Sequence, residues 1–86
     1  MNIDELITNI KKKISSQIVI EKISIEDKSF LHKNHSGNQK GKFHLKLIIS
    51  SLELKKMNKI DSNRKIYKIL DDEIIKFIHS LQIIIN

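Results

Sequence analysis

The apolar residues at the start of the chain recur at steps of three and four, as they do on one face of an amphipathic helix. They are Ile3, Leu6, Ile7, Ile10 and Ile14. Asn2 is placed to cap this helix, and Asp4 and Glu5 suit the positive end of its dipole. The pattern predicts a first helix that buries the isoleucine and leucine stripe.

The period then changes to two, which is typical of strands. In "QIVIEKISIED" the residues that share one face are Val19, Glu21, Ile23 and Ile25. The β-branched content of this stretch favours a first strand. After a polar loop, "KFHLKLIIS" alternates from Phe43 to Ile49 and predicts a second strand with one buried face.

The second half of the chain returns to helical spacing. The polar stretch "SLELKKMNKID" predicts a short helical turn, and Asp61 or Ser62 is expected to cap a longer helix. The buried stripe of that helix is expected to contain Ile66, Ile69, Leu70, Ile74, Phe77 and Ile78. In the closing "HSLQIIIN", alternate apolar positions from Leu81 to Ile85 predict a third strand.

The predicted element order is therefore α-β-β-α-α-β. The first two strands are consecutive, which favours antiparallel pairing, and the third follows a helical crossover, which favours a right-handed parallel connection. We expect an α+β fold in which a small three-stranded mixed sheet carries its helices on one face. We expect residues 1–86 to form one domain, because no interior linker or repeat is visible.

Composition excludes several classes of site. The chain contains no cysteine, so it forms no disulfide and provides no thiolate ligand. No apolar run approaches the roughly 20 residues of a membrane-spanning helix, and "MNIDELITNIKKK" does not resemble a secretory signal. We expect a protein that is not membrane-bound and is cytoplasmic, or organellar if a transit peptide has been removed.

The net charge of +6 raises the possibility of a nucleic-acid partner. However, Arg64 is the only arginine among the sixteen basic residues, and the lysines accompany an unusual abundance of isoleucine. AT-rich coding produces both enrichments without selection for a partner. The charge alone therefore favours a solvated lysine surface.

The loop "DKSFLHKNHSGNQKGKFH" holds three of the four histidines and both glycines of the chain. A loop that only connects two strands needs glycines for its turns but has no use for histidines. His32 and His35 lie in the loop, His44 begins the second strand, and His79 precedes the third. The pattern alone does not explain why histidines are gathered in this part of the chain.

Four segments resemble one family in the same order. "IEDKSFLHKNHSG" resembles the D-x-S-x-x-H-x-x-H-x-G loop of BolA-like proteins, and "KFHLKLIIS" resembles their strand that begins T/S-H-F. "NRKIYKILDDEI" is similar to the family's R-H-R-x-x-Y-x-x-L-x-x-E helix, and "IHSLQI" to its closing I-H-A-L strand. The resemblance implies a variant of the type II KH topology, which matches the predicted element order.

The resemblance also implies a function. BolA-like proteins bind monothiol glutaredoxins, share a [2Fe–2S] cluster with them, and are associated with iron–sulfur trafficking and iron regulation. Some bacterial members are described as transcriptional regulators that bind DNA. No cluster is expected in the isolated chain, which would be a monomer or a weak homodimer.

The resemblance further implies a ligand set in which the glutaredoxin gives a cysteine, glutathione a second thiolate, and the BolA-like partner two residues. The family histidine at the start of the last strand is matched by His79. The second comes from the loop, as His35 or His32, with His44 a weaker third candidate that is more readily interpreted as structural or solvent-exposed. His35 is favoured because it lies near Gly37, where the backbone can bend.

Other positions of the family pattern are changed or open to plainer interpretations. The family's histidine before the strand phenylalanine is Lys42 here, and the R-H of its R-H-R motif is Ser62 and Asn63. The resemblance makes Arg64 and Tyr67 candidate partner-binding residues, together with Gly37. Without the resemblance, His79 would be read as a structural histidine, and the loop histidines as solvated side chains.

Two alternatives remain. A KH-like nucleic-acid-binding regulator would use basic residues, namely Lys55, Lys56, Lys59, Arg64 and Lys65, but the corresponding segment lacks the G-x-x-G loop that clamps phosphates. An enzyme is not expected, because the sequence offers no nucleophile–base pair and no phosphate-binding glycine loop.

Overall fold

The structure, a computed structural model, describes residues 2–29 and 42–86. The elements in chain order are α1 (Ile3–Gln17), β1 (Lys22–Asp27), β2 (Phe43–Ser50), α2 (Leu52–Lys55), α3 (Lys59–Ile69), α4 (Asp71–Lys76) and β3 (Ile78–Ile85). The α+β class and the order of helices and strands are those that the hydrophobic pattern predicts, with one predicted helix divided into two.

The three strands form one mixed sheet in the order β1-β2-β3. β1 pairs with β2 antiparallel, with Ile23 opposite Ile49, and β2 pairs with β3 parallel, with Leu47 opposite Ile83. The register of the parallel pair shifts between Phe43 and His44. Both strand directions confirm the predicted topology.

The core lies between one face of the sheet and the helices. Its buried apolar residues are Leu6, Ile10, Ile14, Ile18, Leu45, Leu47, Ile49, Leu54, Ile66, Leu70 and Ile78. Leu45, Leu47 and Ile49 alternate along β2 and therefore share this face. Burial of these side chains is the main stabilising term of the fold.

The first helix forms as the sequence predicts. The Asn2 side chain accepts the Glu5 amide at 2.8 Å, and so satisfies a donor that the helix leaves open. Leu6, Ile10 and Ile14 are fully buried, while Ile7 of the same stripe is half-buried. The i, i+4 spacing of the buried residues thus fixes the face of α1 that contacts the sheet.

The prediction that the first strand includes Val19 and Glu21 is wrong, because β1 begins at Lys22. Val19 is 71% exposed, although it is apolar. Its carbonyl accepts the Ser51 hydroxyl at 2.8 Å, and its amide donates to Glu53 at 3.2 Å. These side-chain bonds use the backbone groups that a strand would have paired.

The predicted cap of the long helix is also wrong, since α3 is capped by Asn58, whose side chain accepts the Asp61 amide at 2.8 Å. Ser62 is buried, and its hydroxyl donates to the Lys59 carbonyl. A break at Leu70, with φ −97° and ψ 18°, ends α3 and begins α4. Ile78 is buried as the first residue of β3 and not as part of a helix.

An ion pair holds α4 to α1. The Nζ of Lys13 lies 2.8 Å from an oxygen of Glu73, whose side chain is mostly buried. The hydrogen bond that the Lys13 ammonium donates to the Glu73 carboxylate raises the pKa of Lys13 above its usual value. The pair supplies a buried carboxylate with the charged partner that it requires.

We expect Ser51→Ala to lower the free energy of unfolding by about 1–3 kcal/mol, because the buried Ser51 hydroxyl bonds to two backbone groups. It accepts the Leu54 amide at the start of α2 and donates to the Val19 carbonyl. Urea denaturation measures the effect. Ser15→Ala, at an exposed position in α1, is the control. Equal stabilities of the two variants would contradict this account of Ser51.

Candidate functional site

A β-bulge at the start of β3 determines where His79 lies. Phe43 of β2 pairs with Ile78, and the next residue, His44, pairs with Ser80. One step along β2 therefore corresponds to two steps along β3, and His79 is the extra residue. Bulges of this kind re-aim a side chain and are frequent near functional sites. The His79 side chain is exposed at this end of the sheet.

The bulge brings two imidazoles together. The ring centroids of His44 and His79 are 4.8 Å apart, and the ring planes are inclined by 60°. His44 is only 5% exposed, whereas His79 is exposed. A buried histidine thus packs against an exposed one at the edge of the protein.

His44 is held in place by three neighbouring residues. Its Nδ1 lies 2.7 Å from the hydroxyl of Ser80, and its backbone amide donates to the Ser29 hydroxyl at 3.0 Å. Its carbonyl accepts the Lys28 amide at 2.7 Å. These contacts are typical of a structural residue, and they give the His79 ring a fixed surface on which to pack.

The end of β1 is followed by a turn. An oxygen of Asp27 accepts the Ser29 amide at 2.9 Å, as in an Asx turn. Through its hydroxyl, Ser29 then reaches His44. On the other side of residues 30–41, the Phe43 amide donates to the Phe77 carbonyl at 2.9 Å. Both flanks of the histidine-bearing segment are therefore fixed close to the two imidazoles.

Of the other residues predicted to bind the cluster or the partner, three lie outside the described ranges and two lie in α3. His32, His35 and Gly37 lie outside the described residues. Tyr67 is 43% exposed and donates from its hydroxyl to the carbonyl of Leu81 at 3.0 Å, two residues after His79. Arg64 is exposed one turn before Tyr67 in α3. The structure thus brings Tyr67 to the strand that carries His79.

The lysines suggested as a nucleic-acid surface have different surroundings. Lys65 donates to Glu53 at 2.9 Å, which offsets its charge. Lys56 is exposed, and Lys55 and Lys59 line a groove beside the end of β3.

The residues that sequence reasoning missed are Ser29 and Ser80 as hydrogen-bond partners of His44, and His44 as the packing partner of His79. The order "FH", where the family pattern has "HF", was the available signal. Its consequence could not be foreseen without the bulge.

The described residues contain neither a three-residue metal-binding cluster nor a membrane-spanning helix. Within residues 2–29 and 42–86, no three histidine or carboxylate side chains come together in a way that would hold a metal ion. Over the same ranges, no helix has the length and apolar character needed to cross a membrane.

Comparisons with known proteins agree on one family. A sequence profile described as "BolA-like protein" matches residues 14–86. The chain is 31% identical over 72 residues to a protein of Haemophilus influenzae named "DNA-binding transcriptional regulator BolA", a match that covers 84% of this chain and 67% of that protein.

Solved structures of plant proteins share the fold. The BolA domain of SufE1 from Arabidopsis thaliana superimposes with a TM-score of 0.78 at 23% identity, over 100% of this chain and 93% of that one. BolA1 from the same plant gives a TM-score of 0.77 at 22% identity, over 93% and 88% of the two chains. At these identities the likeness shows the fold alone.

We expect Lys65→Met to make the stability of the protein less dependent on acid pH. Two hydrogen bonds lower the pKa of Glu53 below its usual value of 4.5. The larger effect comes from the bond that Lys65 donates, and the smaller from the bond that the Val19 amide donates. Ionised Glu53 therefore stabilises the fold above that pH, and this contribution is lost as the pH falls through the lowered pKa.

The measurement is the free energy of unfolding in urea from pH 7 to pH 3. The gap between the original protein and Lys65→Met should be widest near neutrality and should narrow in acid. Lys68→Met, which removes an exposed lysine of the same helix, is the control. A gap that is constant with pH would contradict the assignment.

Proposed function

The chain belongs to the BolA-like protein family, and we propose that it is the partner of a monothiol glutaredoxin with which it shares a [2Fe–2S] cluster. The observation that carries the proposal is the exposed imidazole of His79, which the bulge in β3 places against the buried ring of His44. An exposed ligand at the end of a strand is accessible to a second protein, whereas a buried one is not.

The donor chemistry fits such a cluster. Neutral imidazole is a good iron ligand, and the chain has histidines but no cysteine to offer. Contact with His44 limits the positions of the His79 ring, as residues behind a metal ligand commonly do. His44 itself is buried and bonded to Ser80, which favours a supporting role over ligation.

The second ligand is proposed to come from residues 30–41. His32 and His35 follow Ser29 by three and six residues, so an extended chain could carry them at most about 10 and 20 Å from it. Ser29 is bonded to His44, which contacts His79. Either histidine is therefore within reach of a centre bound by His79, and His35, near Gly37, remains the favoured candidate.

When bound, the cluster would supply a centre whose potential is raised where imidazoles replace thiolates on one iron. This chain would contribute one ligand from a strand fixed by the sheet and one from the loop. Two histidines satisfy only one of the two irons. The other ligands would come from the cysteine of the glutaredoxin and from glutathione, so a binding role is proposed in preference to an enzymatic one.

We expect His79→Ala to abolish the heterocomplex cluster, because it removes the proposed strand ligand. The protein is mixed anaerobically with a monothiol glutaredoxin, glutathione, iron and sulfide, and visible circular dichroism and size-exclusion chromatography are recorded. His35→Ala and His32→Ala identify the second ligand. Gln82→Ala, at an exposed position of the same strand, is the matched control and should behave as the original protein does.

The result that contradicts the proposal is a spectrum identical to that of the glutaredoxin homodimer, with no one-to-one complex on the column. Loss of the signal in Gln82→Ala as well would also contradict it, because the effect would then not depend on an imidazole.

A second candidate is nucleic-acid binding, which is supported by the name of the Haemophilus influenzae relative and by Lys55 and Lys59 beside β3. The turn between α2 and α3 has no glycine to clamp a phosphate, and Lys65 is paired with Glu53. What remains is a sequence-independent electrostatic surface.

We therefore expect weak binding to single-stranded DNA, with affinity falling by about tenfold or more between 50 and 200 mM salt. Fluorescence anisotropy with two labelled oligonucleotides of unrelated sequence measures this. Salt-resistant binding that distinguishes the two sequences would show that the surface reads bases, contrary to this expectation.

A further inference from the structure

A groove of about 450 Å³ runs beside the last residues of β3, away from the histidines. One wall is the end of α2 and the start of α3, and the other is the outer edge of β3. The lining residues are Leu54, Lys55, Met57, Lys59, Ser62, Asn63, Ile83, Ile84 and Ile85. Ile84 lies five positions after His79 along β3, which corresponds to about 17 Å of strand. The groove is thus a distinct location from the proposed cluster site.

The backbone at this edge of β3 is oriented outward at alternate residues. The Asn86 amide donates to the Ile49 carbonyl of β2 at 2.8 Å. The backbone N–H and C=O groups of the even-numbered residues at the end of β3 therefore point toward β2. The backbone N–H and C=O groups of Leu81, Ile83 and Ile85 then face away from it. The bond from the Tyr67 hydroxyl to the Leu81 carbonyl lies on this outer side, as the alternation requires.

No strand within the described residues pairs with this edge, since β3 is the last strand of the sheet. The Leu81 carbonyl is covered by Tyr67, which leaves the donors and acceptors of Ile83 and Ile85 for another chain. Rows of backbone groups at a sheet edge are the template to which extended peptides add as a further strand.

The charge of the groove indicates the kind of chain that it would take. Two lysines and no acidic residue line it. The nearby carboxylates have other partners, since Glu53 is bonded to Lys65 and Asp61 to the Asn58 side chain. An acidic segment would therefore meet a basic wall.

The apolar part of the lining suits the side chains of a strand. Leu54 is buried, and Met57 is half-buried, as are Ile83 and Ile85. Methionine adapts its shape to different partners. An extended segment with alternating apolar and acidic residues could present its apolar face to these side chains and its carboxylates to the lysines.

We propose that this groove binds an extended acidic segment of a partner protein, which adds as a short strand to the outer edge of β3. The proposal does not depend on the cluster, because it requires neither His79 nor a metal. Since pairing is confined to Ile83 and Ile85, the strand is short and the binding reversible.

Two other occupants fit the groove less well. A second copy of this chain would bring β3 against β3, and residues 78–85 contain no acidic residue to meet the lysines. Single-stranded nucleic acid is commonly bound by aromatic side chains that stack on its bases, and no aromatic residue lines the groove.

The test uses the isolated protein and a fluorescein-labelled peptide of sequence Glu-Val-Asp-Val-Glu-Val-Asp as the probe. Its control is the same peptide with alternate backbone amides methylated, which preserves charge and side chains but removes the strand-pairing donors of one edge. We expect the methylated peptide to bind about tenfold more weakly, because it loses the hydrogen bonds that its backbone would donate to the outer edge of β3. Anisotropy measures both affinities.

Protein variants identify the groove. The double change Lys55→Glu and Lys59→Glu should lower the affinity for the peptide about tenfold or more, because two favourable charges become repulsive. The same change at two exposed lysines elsewhere, Lys12→Glu with Lys22→Glu, is the control for net charge. Ile85→Pro removes the outward backbone N–H of residue 85 without removing a hydrogen bond to β2. It should also lower the affinity for the peptide.

Amide hydrogen exchange gives a readout independent of affinity. On binding, the outward amides of Ile83 and Ile85 should become protected, whereas the inward amide of Ile84 should be unchanged. Equal binding of the methylated and unmethylated peptides would overturn the proposal, and so would equal loss of affinity in both lysine pairs. Protection of the Ile83 and Ile85 amides by an oligonucleotide or by a second copy of the chain, but not by the peptide, would also overturn it.

Discussion

The parallel pairing of β3 with β2 is the interaction on which the rest of the molecule depends. It joins the end of the chain to the central strand, and the helical segment from Leu52 to Lys76 must cross the core face to make that connection. Because β2 is already paired with β1 on its other side, β3 is an edge strand of the described sheet. The two ends of β3 have different surroundings. Its first residues form the bulge, and the outer backbone groups of its last residues have no neighbouring strand within the described residues.

The bulge has the larger functional consequence. A regular ladder would place successive side chains of β3 on alternate faces of the sheet. The extra residue interrupts this alternation, so His79 contacts His44 while Ser80 bonds to the same ring. The protein thus supports an exposed imidazole with a buried and hydrogen-bonded one. If His79 is a ligand as proposed, such support would restrict its ring before the metal binds and would lower the entropy lost on binding.

Sequence reasoning predicted most of the fold because its evidence is local and periodic. The stripe in α1 and the alternation in β2 each repeat several times, and the loop and crossover lengths restrict the pairing directions. The errors occur where side chains replace backbone pairing. Val19 is drawn out of β1 by Ser51 and Glu53, and Asn58 caps α3 ahead of the expected residues.

The candidate site was predictable only in part. The resemblance to a family identified His79, which the structure places in an exposed position, but the contact between His79 and His44 depends on a register shift of one residue. No periodicity in the sequence indicates that shift. The groove beside Ile83 and Ile85 likewise depends on how α2 and α3 approach the edge of β3, which is a property of the packing.

The most direct test of the cluster-sharing account is pulsed electron paramagnetic resonance of the reduced complex, with ¹⁵N-histidine in this chain alone. The account predicts couplings from two histidine nitrogens of this protein to the cluster, and no such couplings in a mixture prepared with His79→Ala, which is expected not to form the shared cluster. A cluster that shows no coupling to any labelled histidine would contradict the account, because every ligand would then come from the glutaredoxin and glutathione.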